Sequence, residues 1–236
     1  MEILAFPYAF GSANIYSDLK NSLGKKCDFY AFDYPGHGSR IEETPLNSID
    51  TIADDAIQQI SSYISKPYCL LGYSMGGNVV FEIYQHLKKA GKPLPKYIFI
   101  LASGEPNYEH DQFEFEKYDL EQVKGVLRDK NGTSEEILSE DELIDLLSPS
   151  IIADSVALRD YDPCSEDKQP VECGVTIVRG KQEESLEHCK ENWENYLKRK
   201  AEYILVDGKH FFLFQGTDDV KKKVTSIISE RLDILQ

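Results

Sequence analysis

The chain has 236 residues, 41% of them hydrophobic and 28% charged, with 26 Lys and Arg against 41 Asp and Glu and a formal net charge of -15. That length can bury a sizeable core, and one domain spanning 1–236 is expected. The acidic balance argues against nucleic acid as a partner, because phosphates are bound mainly through Lys and Arg, and no apolar run approaches the roughly 18 residues of a membrane span. The opening Met1-Glu2-Ile3-Leu4-Ala5-Phe6-Pro7 lacks the basic and long apolar regions of a secretory signal, so residence in the cytoplasm is expected. Cys27, Cys69, Cys164, Cys173 and Cys189 show no C-x-x-C spacing, which suggests neither a disulfide framework nor a zinc site.

Along the chain, a buried strand is expected over 3–8, running into the loop Phe6-Pro7-Tyr8-Ala9-Phe10-Gly11-Ser12, then a helix over 13–23 and a second strand over 27–33. Tyr34-Pro35-Gly36-His37-Gly38 reads as turn chemistry, with His37 a surface-loop histidine. A helix over 49–64 precedes a strand over 68–73, a helix over 76–90 and a strand over 97–102. From about 107 to 168 the rhythm breaks: no strand pattern occurs, only helical ones over 119–128, 134–138 and 140–147, with Ser148-Pro149 as punctuation. The acidic residues dense between Glu105 and Asp145 read as a solvated face. The final stretch gives a strand over 175–178, a helix over 189–198, a strand over 202–206 and a helix over 218–235. This alternation predicts an α/β fold, a mostly parallel central sheet flanked by helices, with the insertion at about 107–168 as a helical lid.

The chemistry concentrates at Gly72-Tyr73-Ser74-Met75-Gly76, a G-x-S-x-G between strand and helix. Such an elbow exposes a serine oxygen at the edge of the sheet, so Ser74 is the candidate nucleophile. Of His37, His86, His110, His188 and His210, only His210 follows the last strand in a glycine-bearing loop, and it is the candidate base. A tetrahedral intermediate needs two donors for its oxyanion. The Met75 N–H is one, and the loop after the first strand supplies the other, Ala9 or its neighbour Tyr8. The elbow by itself also permits a carboxylesterase or lipase acting on free esters.

Phe6-Pro7-x-Ala9-x-Gly11, Asp33-Tyr34-Pro35-Gly36-x-Gly38-x-Arg40, Gly72-x-Ser74-Met75-Gly76-Gly77, Phe81-Glu82 and Gly208-x-His210-Phe211-Phe212 occur in order. Together they resemble the type II thioesterases of nonribosomal peptide and polyketide assembly lines, α/β-hydrolases that free acyl groups from the phosphopantetheine arm of a carrier protein. The resemblance implies an acyl or peptidyl carrier protein as partner. Repulsion between two acidic proteins makes that association transient, a monomer is the default expectation, and two-step serine chemistry requires neither a metal nor a cofactor of the enzyme's own. Three positions depart from it. Tyr73 stands where the family commonly has histidine, and Ile151-Ile152-Ala153-Asp154 keeps the aspartate of a lid motif without its arginine. Gly180-Lys181-Gln182-Glu183-Glu184 replaces the Gly-x-Asp-Asp stretch that holds the family's orienting acid. Glu183 is the expected acid, with Glu184 and Glu105 as alternatives. Loss of a usable acid would leave a non-catalytic binding protein on the same fold.

Overall fold

The computed structural model describes residues 1–108, 113–130, 132–163, 168–186 and 192–235, with the Glu184 side chain also outside the description. Six strands, β1 (Glu2–Phe6), β2 (Asp28–Ala31), β3 (Tyr68–Tyr73), β4 (Tyr97–Leu101), β5 (Gly174–Gly180) and β6 (Glu202–Val206), form one sheet in the order β2-β1-β3-β4-β5-β6. Every neighbouring pair is parallel. Such strands are covered on both faces, which is why β1, β3 and β4 are buried at every position and read as apolar runs, Glu2 at the start of β1 being the charged exception, paired with Lys66.

Alternation along the strands sorts their side chains into two cores. Leu4, Phe6, Leu70, Ile98 and Ile100 face α2 (Ile49–Ile60) and α3 (Met75–Lys89). Ile3, Ala5, Cys69, Leu71 and Phe99 face α1 (Ser17–Leu23) and the C-terminal helix over Asp218–Leu235. That last helix presents Val220, Val224, Ile228 and Leu232, one apolar residue per turn, all buried.

Between β4 and β5 the described residues hold α4 (Leu120–Lys130), α5 (Glu135–Leu138) and α6 (Asp141–Arg159). They share a small core of their own around Phe115, Val123, Leu127, Leu138, Ile144 and Ile151. Contrary to expectation, Ser148-Pro149 does not end a helix there, for α6 runs through Pro149. Proline removes one backbone hydrogen bond and crowds the preceding turn. Contacts on both sides of it outweigh that cost: Ile144 and Ile151 are buried in the shared core, and the Ser150 hydroxyl donates to the Gly36 carbonyl at 2.5 Å.

Other bounds shift by a few residues. The first helix splits into a 3-10 turn, Ala13–Tyr16, and α1, while β1 stops before Pro7 and α2 stops at Ile60. Of the helix expected over 189–198, residues 189–191 lie outside the described residues, Asn192 and Trp193 are helical, and a 3-10 turn, Glu194–Tyr196, follows before Leu197 bridges to Val171. Tertiary packing of Trp193 decides that segment, since its ring is buried against Phe81 and Tyr196. The chain closes with α7 (Phe212–Gln215) and α8 (Asp218–Leu235). The ends of β1, β3, β5 and β6 open into loops on one rim of the sheet, where open parallel sheets hold their ligands.

Candidate active site

Ser74 joins β3 to α3 with φ 52 and ψ -118, a conformation that non-glycine residues rarely adopt. Close approach dictates the glycines around it. A Cβ on Gly72 would lie 2.1 Å from the Gly76 carbonyl oxygen, and one on Gly76 would lie 2.2 Å from that of Phe6. The turn is held by the Ser74 N–H donating to the Leu101 carbonyl at 2.8 Å and the Gly77 N–H donating to the Ser74 carbonyl at 2.7 Å. Met75 opens α3, so its N–H belongs to the first turn, where no intrahelical acceptor is available.

His210 lies between β6 and α7, with Nε2 3.0 Å from the Ser74 Oγ, and its Nδ1 is hydrogen-bonded to the Glu183 carboxylate. An Nδ1–H donated to Glu183 leaves Nε2 free to accept the serine proton. Glu183 sits in the loop after β5 and is 6% exposed, and the Arg179 Nη1 fixes its backbone by donating to its carbonyl at 2.7 Å. Glu105 is buried with Oε1 accepting from the Asn192 amide at 2.6 Å, and the Glu184 side chain is outside the description, as are His110 and His188.

Ser74, His210, Glu183, Tyr8 and Ala9 line one cavity of about 390 Å³. Its walls are mostly apolar: Phe10 from the β1 loop, Phe115, Val126 and Leu127 from the helical insertion, Leu158 from α6, and Phe211. A half-buried nucleophile–base pair opening on a greasy chamber suits an acyl chain ending in a reactive carbonyl.

The family model for the thioesterase domain matches residues 1–232. The chain belongs to the thioesterase domain family. This thioesterase is accordingly a hydrolase of thioester bonds. It is similar to the gramicidin S biosynthesis protein GrsT of Aneurinibacillus migulanus, 26% identical over 217 residues that cover 92% of this chain and 84% of that one. The medium-chain S-acyl fatty acid synthase thioesterase of Homo sapiens is 24% identical over 237 residues, covering 99% and 88% of the two chains. Among solved structures, the RedJ thioesterase from the prodiginine biosynthetic pathway in Streptomyces coelicolor matches with a TM-score of 0.85 at 22% identity, over 98% of this chain and 89% of that one. The fold is that of the α/β-hydrolases.

Several residues of the thioesterase take on work that its sequence did not disclose. Tyr73 is fully buried and its hydroxyl donates to the His210 carbonyl at 2.5 Å, which holds the histidine loop against β3. Gln182 is committed to the backbone of the histidine loop. Its Oε1 accepts from the Gly208 N–H at 2.5 Å and its own N–H donates to the Gly208 carbonyl at 3.1 Å, stapling the acid loop to the histidine loop. His37 is not a surface residue: it is 4% exposed and paired at 3.0 Å with Asp154, which is fully buried. Asp33 to Arg40 braces this region. The Tyr34 hydroxyl donates to the Pro7 carbonyl at 3.0 Å, Asp33 caps the Ala13 N–H at 2.6 Å, and Arg40 bonds both Glu43 and Asp55.

Proposed function

We propose that this thioesterase is a type II enzyme that hydrolyses acyl groups from the phosphopantetheine arm of an acyl or peptidyl carrier protein in nonribosomal peptide or polyketide biosynthesis. The observation that carries the reading is the hydrogen-bonded series Ser74–His210–Glu183 at the mouth of an apolar cavity. The motifs through Phe6–Gly11 and Asp33–Arg40 support the assembly-line assignment, as do relatives named for gramicidin S and prodiginine biosynthesis.

In this reading the Ser74 Oγ attacks the thioester carbonyl carbon while the His210 Nε2 takes its proton. Glu183 accepts from the Nδ1–H and offsets the charge of the imidazolium. The N–H groups of Met75 and Ala9 receive the developing oxyanion. Collapse of the intermediate breaks the carbon–sulfur bond, and the imidazolium returns its proton to the departing pantetheine thiolate. Water, deprotonated by His210, then attacks the acyl-serine, releasing the carboxylic acid and restoring Ser74. No metal and no cofactor of the enzyme's own enters these steps, because the phosphopantetheine belongs to the partner. The helical insertion acts as a lid over the acyl chain. The enzyme works as a cytoplasmic monomer meeting its carrier transiently.

A comparison of acyl-carrier protein with the matching acyl-pantetheine tests the partner assignment. The carrier-borne substrate is expected to have the higher kcat/KM, because protein contacts near the cavity mouth add to those of the arm. Equal values for both substrates would contradict a carrier partner.

A further inference from the structure

Asp154 lies within α6, fully buried, and joins two loops that are remote in sequence. Its Oδ2 accepts from the Phe10 backbone N–H at 2.7 Å and lies 3.0 Å from the His37 Nε2. The other ring nitrogen of His37, Nδ1, is 3.0 Å from the Pro35 carbonyl oxygen. A carbonyl oxygen and an ionised carboxylate can only accept, so this arrangement is satisfied when both ring nitrogens carry protons. Burial alone pushes the His37 imidazole down, but the Asp154 carboxylate, its hydrogen bond and the Pro35 carbonyl more than offset this and leave it raised.

The far end of the contact is a turn, Tyr8–Gly11, closed by the Gly11 N–H donating to the Tyr8 carbonyl at 3.0 Å. Phe10 occupies its third position at φ 68, as in a type II turn, where glycine is the usual resident. An aromatic residue holds that conformation while its N–H is gripped by Asp154 and its ring packs edge-on against Phe115. The gripped peptide unit is the one that follows Ala9.

We propose that Asp154 and His37 are positioning residues for the oxyanion hole, their buried ion pair fixing the Ala9–Phe10 peptide and tying its orientation to the seating of α6. The inference rests on the assignment of the Ala9 N–H to that hole. Substrate does not touch either side chain in this scheme. Their effect passes through Phe10, so that the hole is formed while α6 is docked.

The charged and titratable groups facing His37 are Asp154 from α6, Asp33 from the end of β2 and Tyr34 from its own loop. Burial holds the Tyr34 phenol well above its ordinary value. The His37 pKa is raised, so the ion pair is complete below the ordinary ~6.5 and is lost as pH rises through the raised value. The wild-type kcat should therefore fall on the alkaline side as His37 loses its proton.

The test measures kcat, KM and pH profiles on an acyl-pantetheine substrate for wild type, Asp154→Ala, Asp154→Asn and His37→Gln, with thermal melts alongside. Asp154→Ala is expected to lower kcat by roughly 10–100-fold with KM little changed, less than the roughly 10²–10³ for outright removal of one donor. Asp154→Asn, whose amide oxygen can still accept from Phe10, should recover part of the loss. His37→Gln can donate to Asp154 but does not titrate, so it should lack the alkaline fall. A folded Asp154→Ala with wild-type kcat, or a His37→Gln that keeps the alkaline fall, would overturn the inference. Should Asp154→Ala fail to fold, the Asp154→Asn kcat and the His37→Gln profile decide in the same way. A Ser74→Ala control separates the two levels: its retained turnover would sink the catalytic reading, whereas an inactive Ser74→Ala beside unimpaired Asp154 variants would sink only this inference.

Discussion

Glu183 carries one methylene more than an aspartate, and its loop is braced on both sides. Arg179 holds the Glu183 carbonyl and Gln182 ties the loop to Gly208, leaving the carboxylate against the His210 Nδ1. Glu183→Gln is expected to preserve the fold and lower kcat by roughly 10³–10⁴, since the amide cannot stabilise the imidazolium and can favour the wrong tautomer. Glu105→Gln should change kcat little, its carboxylate being engaged by Asn192. Steady-state kinetics on the two variants decide between them. Tyr73→Phe removes the hydroxyl donated to the His210 carbonyl, and a net hydrogen bond of about 1 kcal/mol predicts a kcat lowered about fivefold. An unchanged kcat in that variant would show that the histidine loop needs no such tether. That Ser74 and His210 meet was legible in the sequence because a tight elbow demands glycines and His210 alone among the histidines follows the last strand in a glycine-bearing loop. The roles of Tyr73, Gln182 and His37 were not. Each depends on a partner at the end of another element: Tyr73 is 137 residues from His210, and His37 is 117 residues from Asp154.

At the scale of elements, the insertion divides into an anchored and a less anchored part. α6 is pinned by Ser150 to Gly36, by Asp154 to Phe10 and His37, and by Ser155 to the Phe113 carbonyl at 3.0 Å. α4 and α5 meet the rest of the insertion through the small core around Phe115 and the buried Lys124 paired with Asp141, while Glu121, Arg128 and Asp129 are exposed on α4. Amide exchange is therefore expected to be fastest in α4 and α5, slower in α6 and slowest in β3 and α3. Uniform protection across all of them would contradict a lid whose outer helices open. The inner strands β1, β3 and β4 were legible because parallel strands buried on both faces are dominated by apolar residues, and the half-exposed edge strands β2 and β6 through their short apolar runs. The run of α6 through Pro149 was not, because proline's local cost is overridden by contacts to Gly36 and to the shared core, and neither contact has a sequence signature.

Over the whole molecule, the charge of -15 sets the terms of any encounter with a carrier protein, a class that is commonly acidic. Like charges slow association at long range, and salt screens them over a Debye length of about 10 Å at 0.1 M. Raising the salt from about 20 to 200 mM should increase kcat/KM for an acyl-carrier substrate and leave that for an uncharged acyl-pantetheine nearly constant. A fall for the carrier substrate would instead reveal a local basic contact that dominates the net field. The most direct test of the central claim is hydrolysis of an acyl-pantetheine thioester by Ser74→Ala, with folding checked by circular dichroism. Loss of a triad nucleophile costs up to about 10⁶ in kcat, so a folded variant with turnover reduced by at least about 10⁴ is the predicted result. A folded variant that keeps most of the wild-type turnover would contradict the assignment of Ser74 as the nucleophile.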